Sequence, residues 1–87
     1  MLRQKVVIKN PSGLHLRPAG ILCKEAMKFK SKVSFEYRGN IANAKSILSV
    51  LGACIQSGNK IELICEGDDE EEALRAMAAI IEDGLGE

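Results

Sequence analysis

Residues 32–38, "KVSFEYR", alternate without a break: Val33, Phe35 and Tyr37 fall on one side, Lys32, Ser34, Glu36 and Arg38 on the other. A two-residue period of this kind belongs to a strand with one face buried and one in water. It argues against a doubly wound parallel sheet, whose strands are covered on both faces and read as near-continuous apolar runs. The same period recurs on either side. In "LRQKVVIK" (2–9) Leu2, Gln4, Val6 and Ile8 oppose Arg3, Lys5, Val7 and Lys9, and in "KIELICE" (60–66) Ile61, Leu63 and Cys65 share a face. "RGN" (38–40) is a tight-hairpin signal leading into a short strand near Ile41 to Ala44.

Between the strands the period lengthens. Ala19, Leu22, Ala26 and Phe29 recur at steps of three, four and three, which predicts a helix from Leu16 to Phe29 with one buried stripe. "SILSVLGA" (46–53) reads as a short helix with Ser46 as its N-cap and Gly52 near its end. Asp68 or Asp69 is expected to cap a last helix running through Ile81, acidic at its start, where the macrodipole favours negative charge. Ala73, Met77 and Ile80, with Leu74 and Ile81 alongside, form its stripe. Turns fall at Asn10-Pro11-Ser12-Gly13 and Ser57-Gly58-Asn59. The order βαββαβα, with one sheet face wet and the other covered, predicts an α+β fold: an open-faced two-layer β-sandwich of four antiparallel strands with three helices on one face.

The chain of 87 residues reads as a single domain, residues 1–87, with a modest core. Hydrophobic residues make up 46% and charged residues 28%, the balance of a globular domain. No apolar run approaches the roughly 18 residues of a membrane-spanning helix. The stretch "MLRQKVVIKNPSG" mixes apolar with charged residues and lacks the continuous apolar core of a secretory signal, so a cytoplasmic location is expected. Twelve Lys and Arg balance twelve Asp and Glu, and the aromatic content is 3%. Neither a basic footprint nor a stacking platform for nucleic acid is present. Cys23, Cys54 and Cys65 are odd in number and form no CxxC, and are expected to be reduced, buried small hydrophobes.

The only histidine, His15, lies in "SGLHLRPAG" (12–20), where a turn becomes a helix. The first amides of a helix have no intrahelical partner, and with the macrodipole they attract anions. Pro18 suits a first turn because it has no N–H to leave unpaired, Gly13 frees the approach, and Arg17 offers a planar cation for phosphate oxygens. Imidazole is also a nucleophile with an unperturbed pKa near ~6.5. Two readings stand on these residues alone: a transiently phosphorylated His15, or an ordinary N-cap histidine. A self-sufficient enzyme would need a base, a metal cluster or a glycine-rich phosphate loop beside it, and none is apparent. The run "EGDDEEE" (66–72) is too contiguous to converge on a metal and reads as a solvated helix start.

"GLHLRPAG" together with "KSILSVLGA" and the strand–helix order resembles the HPr family, the histidine-containing phosphocarrier proteins of the bacterial phosphoenolpyruvate-dependent sugar phosphotransferase system. The resemblance covers essentially the whole chain. It implies that enzyme I, charged by phosphoenolpyruvate, donates a phosphoryl group to Nδ1 of His15, that Arg17 steadies it, and that sugar-specific enzyme IIA domains receive it. It implies a relay protein without catalytic turnover of its own, needing no cofactor or metal and working as a monomer. Leu16 and Gly20 depart from the alanine or threonine common in the family at both positions.

Locally Ser46 is explained as an N-cap, but the resemblance also makes it a regulatory phosphorylation site for an HPr kinase/phosphorylase, with a catabolite control protein as a further partner. A phosphoserine there would be welcomed by the helix N-terminus. On the first helix Gly20, Lys24 and Met27 lie opposite the buried stripe, and Ile47, Leu48 and Leu51 on the short helix cannot all point inward. By position alone they are ordinary surface or core residues or, with Leu16, an apolar docking patch with a basic rim around His15, and the resemblance implies the docking patch, since the family uses these positions. The alternative function is an HPr-like regulator acting mainly through phospho-Ser46 in carbon catabolite control, which the presence of both His15 and Arg17 disfavours. A nitrogen-linked branch protein is disfavoured by "KSI", and a small phosphatase lacks catalytic partners.

Overall fold

A computed structural model describes residues 1–87. Strand β1 (Leu2–Val7) is followed by helix α1 (Leu16–Ala26), strands β2 (Lys32–Tyr37) and β3 (Asn40–Asn43), helix α2 (Ile47–Gly52), strand β4 (Lys60–Glu66) and helix α3 (Glu70–Glu82). The strands form one antiparallel sheet in the order β1-β4-β2-β3. The last strand to form in sequence therefore lies between the first two. Leu2 faces Cys65 across β1 and β4, and Phe35 faces Leu63 across β2 and β4. This register puts Val6, Val33, Phe35, Ile61, Leu63 and Cys65 into one buried cluster with Leu22 and Ala26 of α1 and Met77 and Ile81 of α3. Helix α3 packs on β1 and β4, while α1 packs against α2 and α3. This is the open-faced α+β sandwich that the alternating strands predict.

Several details differ from the sequence reading. Helix α1 stops at Ala26 with Met27 as its C-cap, so Phe29 reaches the core from the following turn. Its N–H donates to Ala26 O in that turn (3.3 Å). Strand β1 ends at Val7, although Ile8 stays fully buried and bonds Asn59 and Gly58. Gln4, on the edge strand β1, is exposed although it shares the parity of the buried Val6. In the α3 stripe Ala73, Met77 and Ile81 are fully buried, while Leu74 and Ile80 are half-buried against the core. On the open face Ile64 is buried despite its parity, flanked in register by Arg3 and Ser34; the Arg3 side chain reaches across it to Glu62 and Glu36.

Asp69 occupies the position before α3 but does not cap it, since its backbone (φ −108°, ψ 30°) is not extended. Its carboxylate accepts instead from the N–H groups of Lys30 (2.9 Å) and Ser31 (2.8 Å) and from the Ser31 hydroxyl, tying α3 to the loop between α1 and β2. Those bonds, the Ser31 hydroxyl first, hold its pKa down from 3.8 to about 2. Glu70 takes over at the helix start, accepting from Gly67 N–H at 3.1 Å.

Candidate functional site around His15

The Asn10–Gly13 turn delivers the chain to α1, and Gly13 is its obligatory member. Its φ is +67°, and a Cβ there would lie 2.6 Å from Ile55 O. Leu14, fully buried, anchors the next step by donating its N–H to Ile55 O (3.0 Å). His15 then sits at the N-cap of α1 in extended backbone (φ −76°, ψ −177°) and its side chain makes no capping bond. The imidazole is exposed, so it is not committed to holding the helix together.

The first bond within α1 runs from Ala19 N–H to His15 O (2.8 Å). The amides of Leu16 and Arg17 precede it and donate to nothing in the fold, and Pro18, next in line, has no N–H. Two unpaired donors and the positive end of the helix thus lie beside the ring. Arg17 is exposed and makes no ion pair. A hollow of about 340 Å³ adjoins the imidazole, lined by Leu14, His15 and Leu16 on one side and by Leu51, Cys54 and Ile55 on the other. The acceptor ring, two unbonded amides and a guanidinium that makes no ion pair thus fall within three consecutive residues at the start of α1, a set of groups suited to an anion.

The expected docking residues divide. Leu16 (68% exposed), Met27 (63%) and Leu48 (82%) are apolar groups left open to solvent, and Ile47 (40%) is more than a third exposed. Lys24 is exposed and Gly20 half-buried. Leu51 is half-buried and packs against the core, so it forms the floor of the hollow rather than an outward contact. Because α1 and α2 pack together, these groups are spread along one pair of helices, with Leu16 next to His15 at the start of α1 and Met27 at its other end. Ser46 is the N-cap of α2 in extended backbone, its hydroxyl accepting from Ser49 N–H at 3.2 Å. Ser49 Oγ in turn accepts from Asn43 N–H (2.8 Å), joining α2 to the end of β3.

The cysteines correct one expectation. Cys23 and Cys65 are buried, and burial is the main cause raising the Cys65 thiol above its ordinary pKa. Cys54 is exposed instead. It follows the C-terminus of α2 in the left-handed conformation (φ +54°), with its N–H donating to Leu51 O (3.1 Å), and that turn directs the side chain to the rim of the hollow. Sequence reading also missed Glu87, whose carboxylate accepts from Ser12 and Asn10. No local signal announces a contact between groups 75 and 77 positions apart.

Fold and site together describe a small open-faced sandwich that displays one imidazole at a helix N-terminus beside an unpaired arginine. Residues 2–83 match the model of the family described as "PTS HPr component phosphorylation site". The HPr-like protein Crh of Halalkalibacterium halodurans is 43% identical over 82 residues, covering 94% of this chain and 98% of that protein. The phosphocarrier protein HPr of Mycoplasma pneumoniae is 41% identical over 83 residues, covering 94% of each. Among solved structures, HPr-C-His from Thermoanaerobacter tengcongensis superposes with a TM-score of 0.96 at 41% identity, over 100% of this chain and 98% of that one. The chain belongs to the HPr family of phosphocarrier proteins.

Proposed function

We propose that this protein is a phosphoryl relay of the sugar phosphotransferase system, accepting a phosphoryl group on His15 from enzyme I and passing it to enzyme IIA domains. The observation that carries the reading is the free, exposed imidazole at the N-cap of α1, beside the unbonded amides of Leu16 and Arg17 and the unpaired Arg17 side chain. In the first transfer the lone pair on Nδ1 attacks phosphorus, and the new P–N bond forms as the bond to the donor breaks. The amides and Arg17 take up charge on the phosphoryl oxygens. The second transfer reverses these roles toward enzyme IIA. The protein is a substrate of its partners and turns nothing over by itself. One copy suffices, since His15, Arg17 and the exposed apolar groups all lie on one chain. Its place is the cytoplasm, where phosphoenolpyruvate is available.

Leu16, Met27, Ile47 and Leu48 form the surface that enzyme I and enzyme IIA cover, with Gly20 and Lys24 between them. Ser46 lies beside this surface, and its phosphorylation by an HPr kinase/phosphorylase adds about −1.5 to −2 charges there, which the α2 amides accept and an acidic partner repels. A second reading is favoured by the 43% identity to an HPr-like protein Crh. In that reading the phosphoserine form, bound to a catabolite control protein, is the main working state. Purified enzyme I with labelled phosphoenolpyruvate separates the two. The relay requires an acid-labile label that chases to enzyme IIA and is absent from His15→Ala. A protein labelled only on Ser46, and only by the kinase, overturns it.

A further inference from the structure

The turn that enters the phosphoryl-acceptor site is held from the far end of the chain. Within the turn Gly13 N–H donates to Asn10 O (3.1 Å) and Asn10 Nδ2 to Gly13 O (2.6 Å). The remaining donors converge on the Glu87 carboxylate. Ser12 N–H reaches Oε1 at 3.2 Å, the Ser12 hydroxyl lies 2.8 and 2.7 Å from the two oxygens, and Asn10 Nδ2 reaches Oε1 at 3.0 Å.

Asn10 shows that the turn is organised around this carboxylate. It is 2% exposed, and its amide is oriented so that Nδ2 serves two acceptors, Gly13 O and Glu87, while Oδ1 is buried without a partner. The flipped amide would set Oδ1 against both of those acceptors, and a carboxylate can only accept. A stranded buried oxygen is tolerated because the bonds to Glu87 are charge-assisted. The Ser12 hydroxyl, then Asn10 and the Ser12 amide, hold the Glu87 carboxyl below its ordinary pKa, and the nearby Arg17 guanidinium adds to this.

We propose that Glu87 is a positioning residue for phosphoryl transfer: its carboxylate clamps Ser12 and Asn10 and so fixes the approach of Gly13, Leu14 and His15 to the first turn of α1. This rests on the reading of His15 as the acceptor. Small errors in the placement of a nucleophile are costly in rate, whereas the apolar docking groups Met27, at the far end of α1, and Leu48, on α2, lie away from the clamped turn.

The test compares Glu87→Gln, Ser12→Ala and the double variant in the full chain, using phosphorylation by enzyme I and phosphoenolpyruvate. Each single variant is expected to lower the maximal rate about fivefold or more with the KM for this protein unchanged, and the two are expected not to add, because they break one clamp. Amide hydrogen exchange at residues 12–14 should accelerate in both. Glu82→Gln, which removes the neighbouring Lys9–Glu82 pair (2.7 Å), serves as a control and should change neither readout. Wild-type rates in Glu87→Gln and Ser12→Ala, a loss confined to KM, or an equal loss in Glu82→Gln overturns the clamp. A wild-type protein that takes up no phosphate overturns the acceptor reading itself, and the clamp with it.

Discussion

Two glycines flank His15, and the structure assigns opposite signs to adding a methyl group at each. At Gly13 the backbone is left-handed (φ +67°), and a Cβ would lie 2.6 Å from Ile55 O, 2.8 Å from Gln56 Cα and 3.0 Å from Gln56 C. The left-handed conformation costs an ordinary residue about 1–2 kcal/mol, and forced overpacking typically adds about 1–3 kcal/mol. All three atoms are backbone, so no side chain can swing aside to relieve the contact. Gly13→Ala should therefore destabilise by about 2–5 kcal/mol, against a total of about 4–13 kcal/mol for a domain of this length. At Gly20, in the middle of α1, an added Cβ meets nothing within 4 Å. Gly20→Ala should stabilise by about 0.5–1 kcal/mol through helix propensity alone, raising Tm by roughly 2–8 °C. Urea titration with the slope held common gives both values. The shift at Gly13 should also move the Leu14–Ile55 bond and slow phosphorylation of His15 in whatever fraction stays folded. Stabilities for the two variants that agree within about 0.5 kcal/mol would refute the account of how this loop is held.

Other predictions concern acid stability and docking. Asp69 has a folded pKa lowered from 3.8 to about 2, so its contribution is fully present above about pH 4 and is lost as pH falls through 2. Asp69→Asn should flatten the fall in urea midpoint across that window while lowering stability at neutral pH, and a parallel fall in both proteins would contradict it. Leu48, 82% exposed, should tolerate Leu48→Ala within about 0.5 kcal/mol of wild-type stability, while the KM with enzyme I rises. Ser46→Asp keeps an acceptor at the N-cap of α2 and should also raise that KM without unfolding the chain; an unchanged KM in both variants would place the docking surface elsewhere.

The alternation in 32–38 and 60–66 was enough to read the layered architecture, because period two and period 3.6 are set by geometry and each strand has one face to bury. Ser46 was legible as a cap for the same reason: its role is settled within three residues. Where the reading failed, either the deciding partner lay far away in sequence or a local turn broke the spacing that the helix had set. Asp69 looks like a cap until Ser31, 38 positions earlier, takes its carboxylate. Cys54 looks like core until the turn after α2 rotates it outward. The apolar spacing carries the expected helix past the true end of α1, because Phe29 keeps that spacing but reaches the core from a turn. At the site, His15 and Arg17 could be picked out because a helix start is a local event. The Glu87 clamp and the hollow floored by Leu51 arise only when distant segments meet.

The most direct test of the account is to locate the phosphate after exposure to charged enzyme I, by tandem mass spectrometry on peptides kept at alkaline pH. The account predicts a single modified peptide carrying the group on His15, greatly diminished in Arg17→Ala. Phosphate on any other residue, or a His15 that stays bare while Ser46 is modified by the same donor, would contradict it.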